Sequence, residues 1–529
     1  MTSPSPSLPR LHRLDALAVV PLVLFAAVVR RWEAWALEVP FDASPMLHRT
    51  LDLRDGVAIP LSGNLVVGWP FRFGVFDDWY RALWTLGTDT LLAFTHRQVA
   101  SHALIAAWAY LLCARLGARA AGVLLALWVA LDSELIVLTT QFPSTYRTAE
   151  WGLLLALAIV ALAADHPRRG SGPATVGVVL AAALLLPSHP FAAAAAVPAG
   201  LALARWGARP SRRATAWGLA GLLVLAGPWI RDTIAGIGPF LGARFESAGH
   251  AADSVSLVQA IDGIWRPTLE LFGVDGHPAR WLIPLVLAAG LVGAALRPAA
   301  RPLLGVGGLW LLGFLGMCAV AGYSPRAYHL LPPVLVLVAA ALVGIERGLA
   351  TAPRSRWLGT AALAAITVAL LAGPFGAAVS QHRHTSQQPW PRGAAWDADQ
   401  VAAEALRLFG GEPGLFAFAW SERRHRIAEA TPVALRLMTG DPEAGRDRSG
   451  PLVLAYLSRD DGVLLPGFHP EARVRVDRDE WIHLARVPLD VLQDWAPLCR
   501  RFAVHAGVPV QLSGTHLHLD QDVAVACSP

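Results

Sequence analysis

Lysine is absent from this chain of 529 residues, and all 44 of its basic residues are arginine. Charged residues of every kind make up only 16% of the sequence, whereas soluble proteins carry roughly 25%. Cysteine is scarce as well, since four residues without a Cys-x-x-Cys spacing exclude a disulfide-rich scaffold. No basic stripe with interleaved aromatic residues is found, which argues against a nucleic-acid partner. The composition therefore favours a membrane protein.

Apolar segments dominate the first 380 residues, in agreement with a hydrophobic content of 54% and a mean hydropathy of +0.45. We expect about eleven of them to cross a bilayer as helices. Alternate connections between them are short and rich in arginine, which predicts a cytoplasmic N-terminus and extracytoplasmic connections at 33–98, 132–147 and 232–280. The eleven segments are 14–32, 99–115, 119–138, 148–164, 174–188, 190–205, 215–231, 281–297, 303–321, 327–345 and 357–378.

The chain changes character after residue 380, so we divide it into a transmembrane domain, 1–380, and a soluble domain. A polar linker at 381–395 leads into residues 396–529, which show a helical pattern at 396–409 and strand-like runs such as "GLFAFAW" and "PLVLAYL". This pattern predicts a C-terminal α/β domain on the extracytoplasmic side. Cys499 and Cys527 are available to form a disulfide there, which is a hypothesis that a mass map of free thiols tests.

Ionisable and polar side chains gather at the predicted extracytoplasmic ends of the apolar segments. Charges at membrane depth are costly and often functional, so their common side indicates a site. Each residue also has an ordinary explanation, as a solvated loop acid, a helix-terminal acid or an interfacial arginine. The candidates are Asp42, Asp77, Asp78, Arg97, Asp132, Glu134, Glu150, His189, Arg326 and Tyr328.

Four stretches in this arrangement resemble a known superfamily. An acid and an amphipathic segment follow the first apolar run in "FDASPMLHRTLDLRDGVAIP", and the second run begins with arginine in "HRQVASHALIAAWAY". An acidic pair lies at Asp132 and Glu134, and "SPRAYHLLPP" opens the tenth run. Together they resemble the GT-C superfamily of polytopic glycosyltransferases, which use polyprenyl-phosphate-linked sugar donors. The resemblance covers residues 14–380 in organisation, and it implies a GT-C-like transmembrane fold.

The resemblance also implies roles for individual residues. The acceptor hydroxyl must lose a proton, which makes Asp42 the expected general base. The donor phosphate is expected to bind Arg326, with Arg97 and Tyr328 as further donors, because guanidinium groups match phosphate geometry. Asp132 and Glu134 are expected to hold either sugar hydroxyls or a divalent cation such as Mg²⁺ or Mn²⁺. The remaining candidates, Glu150, His189, Asp77 and Asp78, are expected to line the pocket.

The expected reaction is inverting transfer of a hexose or pentose to a lipid, glycan or protein acceptor outside a bacterial-type inner membrane, among membrane lipids. Two departures from the superfamily pattern keep alternatives open. The first external connection carries "GVFDDWYRALWTLG" where members often have a His-Pro-Pro segment, and Ala327 separates Arg326 from Tyr328. The alternatives are a transporter or flippase of a lipid-linked glycan, and a non-catalytic GT-C-like protein whose C-terminal domain is the functional part.

Overall fold

The structure is a computed structural model of the whole chain. It forms two compact units, which are described separately. The first unit comprises Met1–Arg30, Pro60–Tyr80 and Ala100–Val379, and the second comprises Arg31–Ile59, Arg81–Val99 and Ser380–Pro529. The structure describes residues 13–33, 43–57, 64–65, 72–131, 147–165, 172–247, 257–271, 282–298, 300–321, 327–350, 394–412, 414–420, 425–441, 444, 451–459, 469–477, 480–487, 510–514 and 525–527.

Helices account for most of the described residues up to 350, as the long apolar runs predict. They are α1 Arg13–Glu33, α2 Ala43–Arg54, α3 Val75–Trp84, α4 Leu91–Ser101, α5 Leu104–Arg115, α6 Arg119–Leu131, α7 Arg147–Asp165, α8 Gly172–Leu185, α9 Ala196–Trp206, α10 Arg212–Ser247, α11 Leu257–Leu271, α12 Leu282–Ala295, α13 Arg301–Ala321 and α14 Ala327–Ala350. Two short 3₁₀ segments, Leu186–Ser188 and Pro190–Ala195, join α8 to α9.

The apolar segments agree with helices at most positions. Three helical stretches in the described residues are long and apolar enough to cross a membrane: Arg147–Ala164, Arg301–Cys318 and His329–Gly348. The last is 83% buried within the protein, which explains why its sequence is apolar on all sides. The eleventh expected span, 357–378, lies outside the described residues, so the count of eleven stays a prediction.

Two of these segments have helix boundaries that the sequence did not predict. The expected span 99–115 is broken, because α4 ends at Ser101 and α5 begins at Leu104. The external connection expected at 232–280 is helical over much of its described length, since α10 continues to Ser247 and α11 follows. Polar residues interrupt the apolar pattern after residue 231. The predicted membrane-spanning segment therefore ends there, although the helix itself continues.

The turn between α5 and α6 is held by the last turns of α14. Gly117 adopts a φ of +73°, a left-handed conformation that favours glycine after a helix end. The Arg347 Nε donates to the Leu116 carbonyl at 3.0 Å, and the Glu346 carboxylate accepts from the Ala121 N–H at 2.7 Å. One helix therefore provides hydrogen-bond partners for a carbonyl at the end of α5 and for an N–H group in the first turn of α6.

The second unit contains the C-terminal α/β domain that the sequence predicts. Two helices, α15 Ala394–Phe409 and α16 His425–Thr439, pack on a sheet of order β5-β6-β4-β3-β7-β8. The central pair β3 and β4 is parallel, with Leu415 opposite Leu452, and the other neighbours are antiparallel. The strands are β3 Leu415–Trp420, β4 Leu452–Arg459, β5 Ala472–Asp477, β6 Glu480–Val487, β7 Val510–Gly514 and β8 Val525–Cys527; a separate hairpin pairs β1 Asn64–Leu65 with β2 Arg72–Phe73.

Candidate functional site

Four of the charged side chains that are buried in the first unit form a group that we call the buried charge cluster: Arg30, Asp77, Arg147 and Glu150. Each is at most 2% exposed. They come from α1, α3 and α7, which are far apart in the sequence. Taking a charge out of water is costly unless a partner compensates for it, so the contacts within the cluster decide whether it is stable.

The pair Arg147 and Glu150 forms the centre of this cluster, one turn apart at the start of α7. The Arg147 Nη1 donates to Glu150 Oε2 at 2.9 Å, and Nη2 donates to the Ser101 hydroxyl. The guanidinium carbon lies 3.9 Å from the centre of the Tyr80 ring, a cation–π distance. The His102 Nδ1 lies 3.8 Å from Glu150 Oε1. A carboxylate, a hydroxyl and an aromatic face thus hold one guanidinium.

Asp77 is connected to this pair through the next residue of α7. The Trp151 indole N–H donates to Asp77 Oδ1 at 3.1 Å, and its ring makes edge contacts with Phe76 and Tyr80 at centroid distances of 6.1 and 6.2 Å. The start of α3 is fixed by the Gly74 N–H, which donates to the Pro187 carbonyl at 2.8 Å. Asp77 is therefore held in place by both its side chain and its helix.

Arg30 completes the charge balance from α1. Its Nη2 donates to the Val129 carbonyl at 2.9 Å, and its charge acts on Glu150 together with that of Asp77. The hydrogen bond joins the last turns of α1 and α6. These are the two helices whose continuations along the sequence contain Asp42 and Asp132. Two positive and two negative groups offset one another inside the protein.

A small cavity begins beside Thr148, the residue after Arg147. The rings of His189 and His329 lie in its wall and contact each other, with centres 4.7 Å apart, and the centre of the Phe191 ring lies 4.2 Å from that of His329. The Phe191 N–H donates to His189 Nδ1 at 3.3 Å, so this nitrogen carries no proton in that contact. The cavity is lined by Thr148, His189, Phe191, Trp310, Phe314 and His329.

The structure places the candidates from the sequence as follows. Glu150 and Asp77 come together, Asp78 is buried next to Asp77, and His189 lines the small cavity. Arg97 is an exposed residue of α4 that donates to the Leu86 carbonyl. Asp42, Asp132, Glu134 and Arg326 lie outside the described residues, and Tyr328 is described only as a backbone position in α14.

The sequence analysis missed two residues of the cluster, Arg30 and Arg147, and two that contact it, Ser101 and His102. Arg147 and Glu150 are three positions apart at a helix start, a pattern that indicates an ion pair. Arg30 lies near the end of the first apolar run, and the sequence analysis used arginines near such ends only to assign the side of the membrane. Ser101 and His102 lie where the expected span breaks, and nothing in their sequence context singles them out.

A metal site remains untested by this geometry. Among the residues that the structure describes, no group of three or more His, Cys, Asp and Glu side chains is arranged to hold a metal ion. The pair expected to bind Mg²⁺ or Mn²⁺, Asp132 and Glu134, lies outside those residues. Cys499 does so as well, so its pairing with Cys527 stays a hypothesis.

Comparison with known proteins shows a shared fold and no match in sequence. The described residues are mostly helical with a small C-terminal sheet, as the sequence predicts. The structure of ArnT from Cupriavidus metallidurans bound to undecaprenyl phosphate matches with a TM-score of 0.51 at 14% identity, covering 90% of this chain and 98% of ArnT. The apo state of ArnT gives a TM-score of 0.45 at 14% identity, covering 89% and 98%. No family model and no curated protein matches the sequence.

Proposed function

We propose that this chain is a membrane glycosyltransferase that transfers a sugar from a polyprenyl-phosphate-linked donor to a lipid, glycan or protein acceptor on the extracytoplasmic side. The observation that carries the proposal is the fold shared with ArnT along 90% of the chain, because that protein was crystallised with undecaprenyl phosphate, a polyprenyl phosphate. The buried charge cluster supports it, since fixed charges inside a protein stabilise charge that develops during a reaction.

The proposed reaction is a single displacement at the anomeric carbon. The acceptor oxygen forms a bond to this carbon while the bond to the phosphate oxygen breaks, and the polyprenyl phosphate leaves with the electron pair. Asp42 takes the proton of the acceptor hydroxyl as general base. Arg326, Arg97 and Tyr328 bind the departing phosphate, whose negative charge grows as the bond breaks. Attack from the opposite face inverts the anomeric configuration.

The other candidates are assigned to holding the substrate. Asp132 and Glu134 bind sugar hydroxyls or a divalent cation, and the contact between Arg30 and Val129 fixes the helix that leads to them. Glu150 and Asp77 are assigned to the buried charge cluster, and His189 and Asp78 are assigned to the lining of the substrate pocket. The proposed role of the cluster is to keep the substrate-binding groups of the first unit in position, and positioning contributes strongly to catalysis.

The test is transfer of radiolabelled sugar from membrane lipid to acceptor in membranes that contain wild-type protein, Asp42→Asn or Arg326→Ala at equal amounts. We expect transfer by the wild type and a loss of about 100-fold or more in each variant, the scale of a lost general base. The matched control is Glu412→Gln, which changes an exposed acid of the second unit and is expected to keep full activity.

The same membranes separate the alternatives. Equal transfer in all variants would remove Asp42 and Arg326 from the mechanism. Movement of labelled lipid across the membrane without transfer to an acceptor would indicate a flippase instead. A chelator that abolishes transfer, with recovery on adding Mg²⁺ or Mn²⁺, would assign the cation role to Asp132 and Glu134 once their variants lose that recovery.

A further inference from the structure

The second unit contains a buried arginine that links the C-terminal domain to the segment after α1. Arg436 lies on α16, and its side chain is only 3% exposed. Its Nη1 donates to Asp52 Oδ1 at 2.6 Å, and its Nη2 donates to Asp55 Oδ2 at 3.0 Å. The same guanidinium also donates to the His48 carbonyl at 3.3 Å. Three groups on or directly after α2 thus bind one side chain that is more than 380 positions away in the sequence.

A second polar link joins the C-terminal domain to α4. Asp399, on α15 and 5% exposed, accepts from the N–H groups of Leu91 and Leu92 at 2.8 and 2.9 Å. These are N–H groups of the first turn of a helix, which has no carbonyl partner for them. The Asp399 carboxylate therefore caps the N-terminus of α4. In most helices the capping residue directly precedes the helix, whereas here it comes from a distant part of the chain.

Apolar contacts connect the same elements. Leu47 and Leu51 of α2 and Leu91 and Phe94 of α4 are buried in one core with side chains of α15, α16 and the sheet, such as Phe416. Each of these four residues is at most 3% exposed. The two segments therefore fold as parts of the C-terminal domain, with a shared core that the polar links orient.

We propose that the C-terminal domain is a positioning device for two residues of the reaction, Asp42 and Arg97, and that Arg436 and Asp399 are its positioning residues. This inference rests on the proposed function. Asp42 directly precedes α2 in the sequence, Arg97 lies in α4, and the domain holds both of these helices. The domain then carries the general base and a phosphate-binding arginine on one framework.

The chemistry of the two links suits positioning. A guanidinium that binds two carboxylates at once fixes the direction of α2 as well as its distance, because its donors form a rigid planar fork. Arg436 is 3% exposed and its partners Asp55 and Asp52 are 16% and 32% exposed. Such ion pairs contribute little net stability, and the role we assign to this one is to specify one arrangement. The network extends further, since Arg54 binds Asp55 at 2.7 Å and donates to the Thr88 carbonyl at 3.0 Å, three residues before α4.

The experiment uses the full-length protein in lipid nanodiscs and compares wild type with Arg436→Met, Arg436→Lys and the control Arg407→Met. Arg407 is 58% exposed and pairs with Glu404 on the surface of α15, where an ion pair contributes little. Sugar transfer is measured as kcat and KM, and hydrogen–deuterium exchange is followed in residues 43–54 and in the strand 415–420. Hydrogen–deuterium exchange reports on the contact between Arg436 and α2 whether or not sugar transfer is observed.

We expect Arg436→Met to lower kcat about tenfold with little change in KM, because a misplaced base slows the chemical step without weakening donor binding. Exchange in 43–54 accelerates and exchange in 415–420 does not, while Arg436→Lys lies between, since an ammonium keeps the charge and loses the fork. Asp399→Asn is expected to raise the KM for the donor instead, because α4 carries Arg97. Arg407→Met behaves as wild type.

Unchanged exchange in 43–54, or faster exchange there with kcat retained, overturns the positioning role. Faster exchange in 415–420 as well would show that Arg436→Met unfolds the domain. In that case Arg436→Lys decides, and a normal kcat in this variant would overturn the positioning role of Arg436. A wild-type protein that transfers no sugar refutes the proposed function alone, since exchange still decides whether Arg436 holds α2.

Discussion

Replacing Arg147 by methionine is expected to be among the most damaging single changes in the first unit. The side chain is fully buried, and the substitution removes the 2.9 Å bond to Glu150, the bond to Ser101 and the stacking on Tyr80. Methionine fills similar space but leaves the Glu150 carboxylate, itself 1% exposed, without its guanidinium. Removing one partner of a buried ion pair costs about 3–5 kcal/mol.

The loss of stability in Arg147→Met comes from the Glu150 carboxylate, which stays buried without its guanidinium partner. Glu150→Gln keeps the shape of the side chain and removes its charge, so the double variant Arg147→Met with Glu150→Gln buries no unmatched charge at this pair. We expect the double variant to be more stable than the sum of the single changes predicts, with a coupling energy of about 2 kcal/mol or more. Hydrogen–deuterium exchange of α7 in nanodiscs gives the opening free energy of each variant.

The control is Arg266→Met on α11, which removes an ion pair to Asp262 whose side chains are 76% and 51% exposed. This change is expected to leave exchange in α7 unaltered, because exposed pairs contribute little. A cost below about 1 kcal/mol for Arg147→Met, or additive single and double variants, would refute the reasoning that the cluster is held by compensating charges.

Two further predictions concern packing and pH. A Cβ at Gly344 would overlap the backbone of Gly290, so Gly344→Ala is expected to separate α12 from α14. We expect a loss of about 1–3 kcal/mol of stability, measured by thermal unfolding in detergent. The control is Gly348→Ala, because a Cβ at Gly348 meets nothing within 4 Å. Burial raises the pKa of Asp399 from its ordinary value near 3.8 to about 6, despite the N–H groups that lower it. The folded state then holds this proton more tightly than the unfolded state, so up to about 3 kcal/mol of stability present below pH 4 is lost as pH rises through 6. Exchange at Leu91 and Leu92, corrected for intrinsic rates, should show this loss in wild type and not in Asp399→Asn; an equal slope in both variants would contradict it.

The sequence predicted the helices well because long apolar helices leave a strong local signal. Apolar runs such as 148–164 and 303–321 correspond within two or three residues to α7 and α13. The strands of the C-terminal domain were also visible, since "GLFAFAW" and "PLVLAYL" are β3 and β4. Helix α16 and strand β5 were not predicted, although the "ARVRVD" of β5 alternates apolar and charged residues as a half-buried strand does.

The candidate site was only partly visible. Glu150 and Asp77 were selected because both lie at predicted external ends, and the structure brings them together through Trp151. Arg147 was not selected, although it provides the charge that compensates Glu150. A sequence shows which residues carry charge, but it does not show which charges will be buried, and burial decides how strongly they interact.

The amino-acid sequence by itself determined that this chain has long apolar helices followed by a small α/β domain, because hydropathy and periodicity are local properties. Only the tertiary structure decided that α2 and α4 belong to the core of that distant domain. It alone showed that Arg30, Asp77, Arg147 and Glu150 share one buried cluster. Contacts between residues hundreds of positions apart depend on how helices pack, and packing is set by the whole fold.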